Sequence, residues 1–253
     1  MKRKTRLHLA AFIILCALTA CTRQAAPPKD GVGINAENFP DQHFRDYLLS
    51  QPYGTDHLLS EEEIAAITSL DLTNRQISDL TGIAHFTALK DLACVGNQLT
   101  TLDISGCQSL NYLNCSRNRL TTLDLADCPA LNYLDCGLNQ LTALDLAGCP
   151  ALAVLSCPAN QLTALDLSRN PQLTTLICSR NLIGAQATDT LISSLPTNQT
   201  DINRSIYVYS NVEGDERNVC TKAQVAKAKA KGWTPYYYNS EEEDWEHYDG
   251  STD

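Results

Sequence analysis

Apolar and polar positions repeat with a period of 21 residues over the middle of the chain. In each copy a leucine is followed two residues later by a cysteine and five residues later by an asparagine. The asparagines are Asn97, Asn118, Asn139, Asn160 and Asn181. A fixed period of this length is typical of a solenoid, in which each copy forms one coil and buries its apolar side chains against its neighbours.

Two stretches of each coil alternate apolar and polar residues, which is the pattern of an extended chain with one buried face. The first contains Leu92 and Cys94 and predicts a strand in every coil. The second contains Leu102, Asp103 and Ile104, so we expect a second extended side. The repeated asparagines follow the first strand, where an amide side chain can pair with both buried N–H and C=O groups. We therefore expect an asparagine ladder that closes the turns.

The motif L-x-x-L-x-C-x-x-N-x-L resembles that of the leucine-rich-repeat family, with cysteine in the third apolar position. The short period and the second L-D-L are similar to a class found in internalin-like and other bacterial surface proteins. The resemblance implies an α/β repeat fold, a leucine-rich-repeat solenoid of about five to six short coils with parallel strands over residues 70–184. It also implies a binding platform, and it does not name a ligand.

Residues 35–69 predict a helical N-terminal cap over the first coil. One helix is expected to start at Asp41, and a second at Ser60, where Glu63 completes a capping box. Asp56, Ser60 and Glu63 also resemble part of an EF-hand calcium loop. Proline and glycine replace its first and third ligands, so a helix pair is the favoured interpretation.

Residues 185–253 predict a mixed α/β C-terminal cap. The patterns indicate helices over residues 185–195 and 221–231 and strands over 206–209, 233–238 and 245–248. The second helix has a capping box at Thr221 and Gln224 and ends before Gly232. This block is similar to the C-terminal caps of bacterial repeat lipoproteins.

Residues 1–20 predict an export signal, because basic residues precede an apolar run too short to span a bilayer as a helix. The residues before Cys21 resemble the bacterial lipobox, in which cleavage exposes a cysteine that is then acylated. The alternative is an ordinary signal peptide with an incidental cysteine. The resemblance implies lipidation of Cys21, a tether over residues 21–34, and a lipid-anchored location in the bacterial envelope, at the outer membrane or cell surface.

The chain has 19 basic and 29 acidic residues, which gives a net charge of −10. An acidic chain does not hold nucleic acid by neutralising phosphates, and it is not attracted to anionic lipid by charge. The contact with the membrane that we expect is therefore the covalent anchor.

The cysteines beyond Cys21 mostly follow the repeat, and we expect them to be buried thiols that pack as small apolar residues. Disulfides between parallel strands rarely meet the required torsion angles, and the absence of a C-x-x-C pair disfavours zinc. We predict no cofactor and no metal. The two expected thiol ladders are Cys94, Cys115, Cys136, Cys157 and Cys178, and Cys107, Cys128 and Cys149.

Residues that flank the buried strand positions are expected to face outward in three columns. The columns are Asp91, Tyr112, Tyr133, Val154 and Thr175; Ala93, Asn114, Asp135, Ser156 and Ile177; and Val95, Ser116, Gly137, Pro158 and Ser179. Aromatic area beside hydrogen-bonding groups is typical of anchors for a protein or glycan ligand. The alternative is a solvated sheet face. The candidate ligand-binding residues are Asp91, Tyr112, Asn114, Tyr133 and Asp135.

A further column is acidic. We expect its side chains to be solvated or to accept hydrogen bonds within turns, and the alternative is weak binding of divalent cations. Its members are Asp103, Asp124, Asp145 and Asp166.

The residues of the repeat face argue against an enzyme. Nucleophilic catalysis needs a base, usually histidine, and this face has none. Asp91 and Asp135 are expected two coils apart on an exposed sheet, without the burial that raises a carboxyl pKa. We therefore predict a surface-displayed lipoprotein that binds an extracellular protein or glycan in adhesion or host interaction. The alternative is a structural or assembly partner within the bacterial envelope.

Overall fold

The computed structural model describes residues 31–197, 203–210, 218–239 and 244–250. In this part of the chain an N-terminal segment, a stack of coils and a C-terminal block share one apolar core. The predicted export signal and Cys21 lie outside the described residues.

The N-terminal segment combines two helices with a pair of short strands: β1 (Gly31–Gly33), α1 (Gln42–Ser50), β2 (Leu58–Ser60) and α2 (Glu61–Ala66). The Asp41 carboxylate caps α1 by accepting a hydrogen bond from the Phe44 N–H at 3.0 Å, and Ser60 and Glu63 form the capping box of α2. The two helices therefore begin where the sequence predicts. The antiparallel pairing of β1 with β2 was missed, because strands of three residues are too short to show alternation.

The loop before β2 uses its polar side chains in its own turns. Asp56 Oδ1 accepts from the Leu58 N–H at 3.3 Å, and Glu63 Oε2 accepts from the N–H and the hydroxyl of Ser60, both at 2.9 Å. Two of the three residues proposed as calcium ligands are thus bonded to each other. The described residues contain no cluster of three or more side chains suited to a metal ion.

The coils contribute one short strand each: β3 (Ser69–Asp71), β4 (Asp91–Ala93), β5 (Tyr112–Asn114), β6 (Tyr133–Asp135), β7 (Val154–Ser156) and β8 (Thr175–Ile177). Each strand pairs parallel with the next, and the central leucines lie opposite each other in every pair. The predicted repeat solenoid with parallel strands is confirmed.

The repeated asparagines join neighbouring coils, as predicted. The Asn139 amide donates to the carbonyls of Cys115 and Cys136, both at 3.1 Å, and its Oδ1 accepts from the Leu120 N–H at 2.9 Å. These backbone groups are buried, and each of the two carbonyls accepts from two successive asparagines: Cys115 also from Asn118, and Cys136 also from Asn160. Equivalent bonds recur at Asn97, Asn118, Asn160 and Asn181.

The residue before each ladder asparagine has a left-handed backbone. The φ angles are 66° at Gly96, 57° at Arg117, 54° at Leu138, 53° at Ala159 and 58° at Arg180. The turn imposes this conformation, because the N–H of each of the first four donates to a carbonyl of the next coil. Side chains other than glycine are strained there by about 1–2 kcal/mol.

The opposite side of the coil is not a second strand, so that prediction was wrong. Leu102 and Ile104 are buried and Asp103 is exposed, and the alternation is therefore real. No strand is assigned on this side of the described coils; instead Asp103 Oδ1 accepts from the Ser105 N–H at 3.0 Å. The same turn recurs at Asp124, Asp145 and Asp166. The carboxylates of the acidic column therefore accept hydrogen bonds within their own turns.

The nine described cysteines are buried thiols and form no disulfide with one another. Burial raises the pKa of Cys94 to about 12 and that of Cys107 to about 11, because a thiolate there loses its hydration. Where a fourth cysteine of the second ladder would lie, buried Asn170 donates to the carbonyls of Leu146 and Cys149. The thiols fill the core as small apolar groups, as predicted.

The C-terminal block extends the sheet of the coils. Its elements are α3 (Ala185–Ser194), β9 (Arg204–Ser210), α4 (Lys222–Ala230), β10 (Trp233–Asn239) and β11 (Asp244–His247). β9 pairs parallel with β8 and with β10, and antiparallel β11 completes a sheet in the order β11-β10-β9-β8-β7-β6-β5-β4-β3. The acidic turn before β11 lies largely outside the described residues.

Candidate ligand-binding face

Residues on either side of the buried leucines point to one surface of the sheet, which we call the strand face. The register places Asp91, Tyr112 and Tyr133 next to one another on β4, β5 and β6. Asn114 and Asp135 lie opposite each other in the neighbouring column. The five candidate residues therefore occupy three adjacent strands.

Tyr112 and Tyr133 form the central feature of the strand face. Their ring centroids are 4.6 Å apart and their planes differ by 12°, so the rings stack face to face. Both side chains are half-buried. Burial raises the pKa of Tyr133, with smaller contributions from Asp135 and Tyr112, so its hydroxyl keeps its proton at neutral pH. Because the rings hold each other in place, the two tyrosine side chains lose little conformational entropy when a ligand binds to them.

Asn114 and Asp135 are held in place by their own coils. Asn114 Oδ1 accepts from the N–H and the hydroxyl of Ser116, at 3.1 and 2.7 Å. Asp135 Oδ1 accepts from the Gly137 N–H at 3.0 Å. The Asn114 amide has no acceptor for its two N–H donors among the described residues, so these donors are available to a ligand.

Asp135 is more buried than the sequence suggested. Burial raises the pKa of this carboxyl, and hydrogen bonds from the Gly137 N–H and the Ser156 hydroxyl oppose the shift only in part. The expectation of a carboxyl without burial is therefore wrong at this position, although it holds for Asp91, which is exposed. Ser156, which lies opposite Asp135 on β7, is itself buried and donates its hydroxyl to the carboxylate.

We expect Asp135→Asn to stabilise the protein at neutral pH. Because the folded pKa is raised above the unfolded value of about 3.9, the folded state is penalised as pH rises through that range. The amide avoids this penalty, and the gain is under about 1 kcal/mol because the site is only partly buried. Urea unfolding should show an advantage at pH 7 that disappears at pH 3. An equal or lower stability at pH 7 would contradict the assignment.

Part of the outward surface that the sequence predicts is in fact covered. Ser116 is 8 % exposed, Ser156 is 7 % exposed and Ser179 is 3 % exposed. Ser116 and Ser179 therefore add little to the third column, and Ser156 adds little to the second. Ser116 instead donates to Asn114, which orients a candidate residue.

The C-terminal block adds aromatic residues to the strand face that sequence reasoning missed. Tyr207 follows Ile177 in the second column, and the Tyr207 and Tyr236 rings stack with centroids 5.1 Å apart. The ring of His247 lies 4.8 Å from that of Tyr236. The strand alternation of residues 206–209 was a usable signal. However, Tyr207 follows Ile177 by 30 residues and not 21, so the repeat did not place it in the column.

Two aromatic groups thus stand on one face, separated by smaller side chains. Tyr133 and Tyr207 lie three strands apart, which corresponds to about 14 Å. Val154, Thr175 and Ser156 lie between them. The arrangement offers ring edges, hydroxyls and a carboxylate to an extended ligand. Among the described residues, no helix has the length and apolarity needed to cross a membrane.

These features define a leucine-rich-repeat solenoid with an open strand face. The family described as the endo-beta-N-acetylglucosaminidase EndoS leucine-rich-repeat domain matches residues 39–181. The chain belongs to this leucine-rich-repeat family, and it is an internalin-like bacterial member of the class.

Internalin J of Listeria monocytogenes serotype 4b (strain F2365) is 44% identical over 69 residues, which cover 26% of this chain and 7% of that protein. The structure of the functional domain of InlJ from Listeria monocytogenes, described as including a cysteine ladder, is 30% identical with a TM-score of 0.59. It covers 80% of this chain and 46% of its own. Internalin InlF of Listeria monocytogenes strain 4b F2365 is 19% identical with a TM-score of 0.65, over 85% of this chain and 60% of its own. The chain thus spans less than a tenth of the curated relative and under half of the InlJ domain.

Proposed function

We propose that this protein is a surface-displayed bacterial lipoprotein that binds an extracellular protein or glycan through its strand face. The binding residues in this proposal are Asp91, Tyr112, Asn114, Tyr133 and Asp135. The observation that carries it is the Tyr112–Tyr133 stack, an ordered aromatic pair at the surface of the strand face. The internalin-like repeats support the proposal.

The chemistry of the face favours an extended ligand with both apolar and polar groups. Tyrosine supplies contact area at low entropic cost, and a single aromatic anchor of this kind typically contributes about 2 kcal/mol or more to binding. Asp135 is held half-buried at a cost in folding stability, which is common for residues kept for function. The Asn114 donors and the Asp135 carboxylate would fix the orientation of the ligand.

Most of the anchoring part of the proposal concerns residues outside the described structure. At the end of the tether, however, Gly31–Gly33 form β1 and Ile34 is buried, so these residues are held against the N-terminal segment. We propose residues 1–20 as a lipoprotein signal, Cys21 as the acylated residue and residues 21–34 as the tether. The boundaries of the remaining parts, also proposed, are 35–69 for the N-terminal cap, 70–184 for the repeats and 185–253 for the C-terminal cap. Metabolic labelling with a fatty acid, lost in Cys21→Ser, would support this arrangement; a labelled Cys21→Ser chain would refute it.

We expect the double variant Tyr112→Ala/Tyr133→Ala to lose binding about 30-fold or more, because about 2 kcal/mol disappears with the aromatic pair. The full chain in mild detergent is tested against a glycan array and a panel of extracellular matrix proteins. The matched control is Gln108→Ala/Gln172→Ala, which truncates two exposed side chains away from the strand face. Equal binding by both double variants would remove the strand face as the site.

Protease treatment of whole cells separates display at the surface from a role inside the envelope. Digestion of the chain supports the proposed function. Protection, together with crosslinks to other envelope proteins, would instead favour the structural or assembly role.

A further inference from the structure

The turns that follow the coil strands form a rim whose charge differs from that of the whole chain. We call residues 95–99, 116–120, 137–141 and 158–162 the Asn-turn rim. These residues include Arg117 and Arg119 and no acidic residue, although the chain carries a net charge of −10. Both arginines are exposed. The rim therefore presents positive charge beside the strand face.

Neither arginine is neutralised by a described residue. The ion pairs in the described part of the chain join Lys227 to Asp189 and Lys229 to Asp249, in the C-terminal block. Arg117 and Arg119 form hydrogen bonds there only through their backbone N–H groups, to the carbonyls of Gly137 and Leu99. Their guanidinium groups, two residues apart, are free to bind carboxylates in the two-bond geometry that arginine favours.

An exposed leucine lies directly beside this pair. Arg117 N–H donates to the carbonyl of Gly137, which places Leu138 next to Arg117 on the adjacent coil. Leu138 is 43% exposed and has a φ of 54°. The free protein gains little from an apolar side chain in water on a strained backbone. Equivalent positions on other coils hold glycine, alanine or arginine. The left-handed backbone is common to these turns, and the exposed apolar side chain is what distinguishes Leu138.

We propose that Arg117, Arg119 and Leu138 form an anchor for an acidic segment of a protein partner. Carboxylates of the segment pair with the arginines, and an apolar residue of the segment covers Leu138. A sulfated or phosphorylated glycan would also satisfy the arginines but would leave the leucine in water, so the leucine favours a protein. Screening over about 8 Å at physiological salt limits the repulsion from distant acidic residues. The inference rests on the proposed binding function and specifies the chemistry of the partner.

The test uses a random twelve-residue peptide library displayed on phage and selected on the full chain in mild detergent. The enriched peptides should combine acidic and apolar residues. Their affinity, measured by fluorescence anisotropy, should fall at least tenfold for Arg117→Glu/Arg119→Glu and at least threefold for Leu138→Gln. Lys90→Glu and Val219→Gln are matched controls that change an exposed cation and an exposed apolar residue elsewhere, and they should alter affinity less than twofold.

Four outcomes overturn the anchor: no enrichment, enriched peptides without acidic bias, equal affinity for all variants, or loss of affinity in the controls as well. A heparin-derived oligosaccharide is titrated in parallel. A different outcome is that only the oligosaccharide binds, with its affinity lowered by Arg117→Glu/Arg119→Glu and unchanged by Leu138→Gln, while no peptide binds. In that case the rim is an anion site and the protein-partner inference fails. Peptides that lose affinity only in Tyr112→Ala/Tyr133→Ala would overturn the anchor and leave the proposed strand-face function standing.

Discussion

Asn139→Ala is expected to lower the free energy of unfolding by about 3–5 kcal/mol. The substitution removes the acceptor of the Leu120 N–H and the donor to the carbonyls of Cys115 and Cys136. The buried Leu120 N–H is left without a partner, which costs about 1–3 kcal/mol. Each carbonyl keeps its bond from the neighbouring asparagine, Asn118 or Asn160, and loses one hydrogen bond worth about 0.5–1.5 kcal/mol. Since domains are typically stable by about 5–15 kcal/mol, the loss is a large fraction of the total. Urea unfolding followed by circular dichroism measures it.

Asn132→Ala is the matched control in the same repeat. Asn132 is exposed, and its side chain makes one hydrogen bond, to the Ala151 carbonyl at 3.2 Å. Exposed substitutions of this kind change stability by about 0.5 kcal/mol or less. If the two variants were equally stable, the ladder asparagines would not be the groups that join the coils.

The repeat carried most of the information about the fold. Because every coil buries the same positions, a period of 21 residues sets the register of β4 to β8 without any long-range guess. The first step, from Leu70 to Leu92, is one residue longer. The asparagines were predictable for a related reason, since a polar residue at a buried turn has backbone groups as its only partners. The first thiol ladder was predictable because Cys94 and its copies alternate with outward-facing residues at the end of each strand.

Pairing and burial were harder to predict than periodicity. Alternation around Asp103 indicates one buried face, but it does not show whether the backbone pairs with the next coil. In the structure the Asp103 carboxylate accepts a hydrogen bond from the Ser105 N–H. Asp135 lies opposite Ser156 on the adjacent strand β7 and accepts a hydrogen bond from its hydroxyl. Such cross-strand effects require the register as well as the sequence.

The same limits apply to the candidate site. Tyr112 and Tyr133 were identified because the repeat places them one coil apart, and their stacking follows from strands spaced about 4.8 Å apart. Tyr207 and Tyr236 lie on the same face, but α3 interrupts the repeat before β9. Leu138 is unremarkable in sequence, and its exposure and left-handed backbone become informative only in the structure.

Alkaline pH is expected to unfold the protein near pH 10 under reducing conditions. Burial raises the pKa of Cys94 to about 12, and burial also raises the pKa of Cys115, Cys136 and Cys157. Unfolded thiols titrate near pH 8.5, so above that pH the unfolded state releases protons that the folded state retains. The contribution of the buried, protonated thiols to folding stability is complete below about pH 8.5 and is lost as pH rises above it. At pH 10 each buried thiol lowers the free energy of unfolding by about 2 kcal/mol, and four thiols lower it by about 8 kcal/mol.

The variant Cys115→Ala/Cys157→Ala separates the thiols from tyrosines that titrate in the same range. Urea unfolding at intervals between pH 7 and pH 10 gives the slope of the unfolding free energy against pH for both proteins. Two missing thiols should reduce this slope by about 2.7 kcal/mol per pH unit above pH 9, since each contributes about 1.4. The variant is expected to be less stable at pH 7, because its smaller side chains leave space in the core. Identical slopes would show that the buried thiols do not control the alkaline transition.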